Sequence, residues 1–195
     1  MSSTCPSGQD EQEGPGTGAH CDPSVEGCDH GTHVAAIAAG ATLGANVPEL
    51  GGVAPGAQII AMQVLSRIDN AAICGGQASW ITASLSDIMQ GLERVYSLRQ
   101  TFPIAVVNMS LGGGQFTDYC DESPLADVIE RLRQAGIATV VASGNESLID
   151  AISPPACVSS AMSVGSTTKF AEALAKNKAS VALLIACVAP VALWY

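Results

Sequence analysis

Residues 103–146 read PIAVVNMSLGGGQFTDYCDESPLADVIERLRQAGIATVVASGNE, and this one stretch spells out a strand, a helix and a second strand. Residues 103–109 are apolar and β-branched, the pattern of a central parallel strand, and they stop at Ser110, Leu111, Gly112, Gly113 and Gly114. Ser123 and Pro124 supply an N-cap and a first-turn proline. Leu125, Val128, Ile129 and Leu132 then recur at helical spacing, and Gly136 closes the helix. Residues 137–142 (IATVVA) make the next strand, which leaves through Ser143, Gly144, Asn145 and Glu146.

The same alternation extends in both directions. Upstream, Val34, Ile37, Ala38 and Ala41 mark a helix rich in small residues, with Asp29 at its N-cap position. Residues 57–65 (AQIIAMQVL) read as a buried strand after Pro55 and Gly56, and Ile81, Leu85, Ile88, Leu92 and Val95 mark another helix. Downstream, residues 161–166 (AMSVGS) follow a Pro154-Pro155 loop as one more strand. Strands and helices alternating in this way call for an α/β fold: a doubly wound, mostly parallel sheet with helices on both faces. Ligands of such sheets bind outside the carboxyl ends of the strands, where this chain puts its glycine-rich exits. A glycine-rich exit lets another backbone approach, which suits an extended peptide, and the Asn145 amide is a neutral donor.

The 195 residues suit one domain with a single sizeable core. Residues 1–27 form a loop-rich N-terminal segment, 28–169 the motif-bearing body, and 170–195 an alanine-rich tail expected to be helical. With 8 Lys+Arg against 18 Asp+Glu, the chain is repelled by phosphate backbones, which excludes nucleic acid as a partner. Residues 179–195 are apolar apart from Ser180. They only reach the short end of the spanning range of about 17–25 residues, and Pro190 interrupts them. A membrane anchor flanked by Lys169, Lys176 and Lys178 is therefore the alternative to a helix docked on the sheet. The oligomeric state is not legible.

Seven cysteines point to an oxidising compartment, although the first residues offer no secretory signal. Loop placement offers Cys21 with Cys28 and Cys120 with Cys157, without excluding other pairings; Cys187 is the odd one out. Cys21, Cys28, His30 and His33 can also be grouped as a zinc site, though the spacing fits no C-x₂₋₄-C knuckle.

The run Cys28-Asp29-His30-Gly31-Thr32-His33-Val34-Ala35 resembles the histidine motif of the subtilases, the subtilisin-like serine peptidases. Gly52-Val53-Ala54-Pro55, residues 107–113 (VNMSLGG) and residues 140–146 (VVASGNE) resemble further subtilase segments, in the family order, and Val164-Gly165-Ser166 adds a weaker match. The resemblance covers residues 28–169. It implies a subtilisin-like endopeptidase acting on polypeptides outside the cell by a Ser-His-Asp mechanism. His30 would be the general base and Asn145 the oxyanion donor. Ser110, Leu111, Gly112, Gly113, Ser143 and Gly144 would bind the substrate, and His33 would be a core histidine.

No cofactor is implied for the chemistry, and the calcium sites common in the family have no carboxylate cluster here to match. Ala36 stands where the family pattern has glycine, adding a methyl to a close helix contact. The family order is Asp, His, Ser, yet Asp10, Asp22 and Asp29 all lie in loop sequence and no G-T-S-M-A-x-P follows Asn145. The chain therefore reads as an internal portion of the catalytic domain, inactive by itself, or as a peptide-binding remnant without turnover.

Overall fold

The computed structural model describes residues 2–3, 12–19, 22, 24–41, 51–70, 72, 74, 80–166 and 191–194. In chain order the elements are β1 (Ser2–Ser3), α1 (His30–Ala39), β2 (Ile59–Met62), β3 (Leu65–Ile68), β4 (Trp80–Ala83), α2 (Leu85–Leu98), β5 (Val106–Met109), α3 (Ala126–Gln134), β6 (Ala138–Ala142), β7 (Met162–Val164) and β8 (Val191–Trp194). Five strands form the main sheet in the order β2-β8-β5-β6-β7, and β1-β3-β4 form a smaller antiparallel sheet.

The stretch at 103–146 folds as its sequence dictates. β5 and β6 pair in parallel with Val106 opposite Ala138 and Met109 opposite Val141, and α3 makes the crossover between them. Val107, Met109 and Val141 are completely buried on one face of the sheet, while Val106, Asn108 and Val140 on the other are half-buried. α3 buries Val128, Ile129 and Leu132. Its start differs in detail from the sequence reading: Leu125 takes the N-cap position with no side-chain cap, and the Ser123 hydroxyl accepts the Leu125 N–H at 3.3 Å. At the other end Gly136 adopts φ +82, which lets its N–H reach Arg133 O and the Ile137 N–H reach Leu132 O. β6 continues in parallel to β7, with Val140 opposite Met162.

α2 packs against α3 and buries Ile88, Leu92 and Val95. The helix starts later than its apolar spacing suggests, because Ser84 is extended there and its Oγ accepts the Asp87 N–H at 3.1 Å, a side-chain cap that ends the preceding strand. Ile81, which fits the helical stripe by spacing, belongs instead to β4 and pairs with Arg67. Tyr96 lies under two guanidinium groups, with Arg99 at 3.5 Å and Arg131 at 4.8 Å from the ring centre, and Arg131 also pairs with Glu93. These contacts tie the two helices together at the edge of the core, against which Tyr96 packs.

Two expectations are corrected in the other part of the sheet. Residues 57–65 are not one buried strand: β2 ends at Met62 and the chain leaves for the smaller sheet at Leu65. β2 is the outer strand of its sheet, so its residues are exposed or half-buried. The tail is not helical where it is described. Val191–Trp194 is a strand lodged between β2 and β5 and antiparallel to both, with Trp194 opposite Ile59 and Val106. A short apolar run with Val191 and Trp194 fits either element by composition, and only two parallel neighbours with free ladder groups favour the strand. The remaining tail residues from 167 to 190, including Cys187, lie outside the described residues, as do Cys5 and Cys21. No described helix is long and apolar enough to cross a membrane.

The sheet is therefore α/β and parallel through β5, β6 and β7, with β8 reversing the direction beside it.

Candidate active site

His30 opens α1. A turn precedes it in which Cys28 N–H donates to Val25 O and His30 N–H donates to Gly27 O. Val25 and Cys28 are buried and anchor that turn. His30, Val34 and Ala38, spaced by four, share the inward side of the helix. Val34 and Ala38 are buried, and His30 is half-buried with its Nε2 atom shielded from solvent. His33 falls off that face and is exposed, so it is not a core histidine. Asp29 occupies the N-cap position in a helical conformation, and its side chain makes no capping bond. Ala36 is exposed, so its methyl does not enter a close helix contact.

The far end of α1 explains residues 52–54. The last carbonyls of a helix have no partner within it. Here Gly52 N–H reaches Gly40 O, Val53 N–H reaches Ile37 O and Ala54 N–H reaches Ala38 O, at 2.8–2.9 Å. The approach is so close that a Cβ on Gly52 would lie 2.4 Å from Gly40 N. The Gly-Val-Ala-Pro segment thus wraps the end of the histidine helix before the chain enters β2.

At the carboxyl ends of β5 and β6 the two glycine-rich exits are joined by a third segment, residues 152–157. Ser110 is buried and accepts from the Asn108 side-chain amide at 3.0 Å. Leu111 is half-buried, whereas Gly112 and Gly113 are exposed, and the Gly113 N–H donates to Pro154 O at 3.1 Å. A Cβ on Gly112 would lie 2.9 Å from that same carbonyl oxygen. Ser143 donates its N–H to Val164 O at 2.9 Å and accepts the Ser153 N–H at 2.8 Å. Phe116 and Ile152 exchange both backbone hydrogen bonds, and a Cys120–Cys157 disulfide closes the segment behind them. The Pro154-Pro155 peptide bond between these anchors is cis.

Asn145 is exposed on the loop leaving β6, between Gly144 at φ +120 and Ser147 at φ +56. Its N–H donates to Glu146 Oε2 at 2.9 Å, and the same carboxylate oxygen lies 3.2 Å from Ser153 Oγ. Backbone N–H groups of Glu146 and Asn145, followed by the Ser153 hydroxyl, hold the Glu146 carboxyl below its ordinary pKa. Ser153, completely buried, also reaches Gly114 O at 3.0 Å. The sequence reading missed Ser153, because a lone serine before two prolines carries no signal until the chain folds back on itself.

The structure thus brings Gly112, Gly113, Ser143 and Gly144 around one segment. His30 arrives from α1, whose partner in the sheet is β8, two strand spacings from β6 or about 10 Å. The zinc grouping loses a ligand, because the Cys28 sulfur is held in a disulfide and is not a thiolate. Among the described residues no three metal-ligating side chains gather.

A sequence profile of the subtilase family matches residues 3–184. The chain belongs to the subtilase family. This subtilase is 34% identical over 146 residues to an extracellular serine proteinase of Thermus sp. (strain Rt41A), covering 74% of the chain and 29% of that relative. It is 34% identical over 124 residues to subtilisin E of Bacillus subtilis (strain 168), covering 64% and 26%. It is 28% identical over 172 residues to the subtilisin-like serine protease Rho m 2.0101 of Rhodotorula mucilaginosa, covering 85% and 39%. The subtilase sequence here therefore spans less than half the length of these relatives. No solved structure matches it.

Proposed function

We propose that this chain is a portion of a subtilisin-like serine endopeptidase that supplies the general base and the oxyanion donor. His30 would take the proton of the attacking serine and later return it to the leaving amine, and Asn145 would donate to the tetrahedral oxyanion. Exposed Gly112, Gly113 and Gly144, flanked by Ser110, Leu111 and Ser143, would receive the substrate backbone. The observation that carries this reading is the joining of both strand exits by Ser153 and Pro154, which creates a rigid wall at the sheet's carboxyl end. No cofactor enters the chemistry. Completed by further parallel strands, the sheet would be doubly wound with helices on both faces. The cysteine content, the Cys120–Cys157 disulfide and the extracellular relatives together support work outside the cell.

The nucleophile and the orienting aspartate have no match in their family settings within these 195 residues. In subtilisin, loss of the serine or the histidine costs about 10⁶ in turnover, so the chain by itself is expected to be inactive. Treatment with a serine-directed fluorophosphonate and a chromogenic peptide should give neither labelling nor hydrolysis. Labelling at a defined serine would overturn the assignment as a partial peptidase. A cleft without a nucleophile can still bind, and the exposed glycine wall favours a second reading as a peptide-binding remnant. Amide shifts at Gly112, Gly113 and Gly144 on adding an extended peptide would support the cleft in either form, and their absence would sink both.

A further inference from the structure

We propose that Glu146 and Ser153 are positioning residues for Asn145, forming a carboxylate–hydroxyl clasp that locks the oxyanion loop to the opposite wall of the cleft. The role rests on the peptidase reading above and adds to it the side chains that aim its donor.

A donor useful to a developing oxyanion must be held in place before the charge appears. Asn145 is poorly placed for that by its backbone alone, since it is exposed, follows Gly144 at φ +120 and stands two residues before Ser147 at φ +56. Its N–H is instead fixed by Glu146 Oε2 at 2.9 Å. Fixing the N–H restrains φ of Asn145, and with it the direction in which the Asn145 side chain leaves the chain.

Glu146 needs an anchor of its own, and Ser153 provides it. Ser153 is completely buried, its N–H is bound to Ser143 O at 2.8 Å, and its Oγ lies 3.2 Å from Glu146 Oε2 and 3.0 Å from Gly114 O. One hydroxyl proton thus faces two acceptors, one on the oxyanion loop and one on the facing wall. Donation to an ionised carboxylate is the stronger of the two. The clasp closes directly over Gly144, where a Cβ would stand 2.5 Å from Ser153 Oγ and 2.6 Å from Glu146 Oε2. That position requires glycine twice, for its φ of +120 and for the space the clasp occupies.

The groups that bond the Glu146 carboxylate are neutral: its own N–H, that of Asn145 and the Ser153 hydroxyl. Each favours the ionised form, so the clasp is complete above the ordinary glutamate pKa and is lost as pH falls through the depressed one.

The test is an NMR titration of the full chain. The Asn145 backbone amide should titrate with a midpoint below the ordinary glutamate value. Ser153→Ala should move that midpoint upward, and Glu146→Gln should abolish the titration. In Glu146→Ala the Asn145 order parameter should fall from about 0.85 to below about 0.6, while the Asn108 amide, bound to Ser110, stays unchanged as an internal control. A parent Asn145 amide indifferent to pH overturns the clasp without needing any variant to fold, and so does an order parameter unmoved in Glu146→Ala. If the amide titrates as expected but an extended peptide causes no shifts at Gly112, Gly113 or Gly144, the clasp stands and the cleft reading fails.

Discussion

The two parts of the main sheet are held together in different ways. From β5 to β7 the strands are parallel, β5 and β6 alternate half-buried and buried residues, and these share one core with α2 and α3. Their carboxyl ends are stitched by the Phe116–Ile152 pair, the 120–157 disulfide and the Glu146–Ser153 contact. From β2 to β8 the strands pair antiparallel, β2 buries no residue fully although Ile60 and Met62 pack against the core, and the direction of the sheet reverses. A site built by several loops gains its accuracy from cross-links between them. The asparagine side of the candidate site has those cross-links from several loops, whereas the histidine side is one helix held by the Cys28 disulfide before it and by the segment wrapped around its end.

The contrast can be broken most forcefully at the disulfide. Replacing Cys120 and Cys157 by serine releases a loop of 37 residues, which the chain-entropy treatment values at about 4 kcal/mol. Urea unfolding should show that loss, and an unchanged midpoint would mean that the stitching is not what holds the parallel part. Leu132→Ala, at a completely buried site on α3, should cost about 3 kcal/mol, whereas Ile60→Ala on the half-exposed outer strand should cost about 1. Equal costs would erase the distinction between the two parts.

A smaller effect of opposite sign is expected at Thr139, whose buried hydroxyl has no hydrogen-bond partner in the described chain. Thr139→Val should raise stability by about 1 kcal/mol in the same unfolding assay. The smallest effect is electrostatic. Arg133 and then Gln134 hold the half-buried Glu130 carboxyl down to a pKa of about 2. Because the folded value is depressed, the pair stabilises α3 above the unfolded pKa and fades as pH falls towards 2. A native-state titration should show this, with only a slight change in unfolding midpoint, since the pair is solvent-screened.

Much of the parallel part was legible before folding. Residues 103–109 and 137–142 announce β5 and β6 by composition, and Leu125 to Leu132 a helix by spacing, because a short β-branched apolar run and a stripe of period 3.6 are different local patterns. Gly112, Gly113, Ser143, Gly144 and Asn145 stand at the strand exits as expected. Legibility failed where neighbours choose between elements. Ile81 fits a helical stripe and sits in β4, and residues 191–194 fit an apolar helix and lie in the sheet. His33 shares a motif with His30 yet is exposed, since it lies about 60° round the helix from His30 on the side away from Val34 and Ala38.

The sequence by itself determined the family, the α/β alternation and the identity of the general-base and oxyanion candidates, because these depend on residue types at short spacing. Only the tertiary structure decided that Ser153 and Glu146 meet across the loop over Gly144, that residues 52–54 complete the histidine helix, and that the tail enters the sheet antiparallel. Those are matters of which unsatisfied backbone and side-chain groups find one another across long separations, and no local pattern encodes that choice.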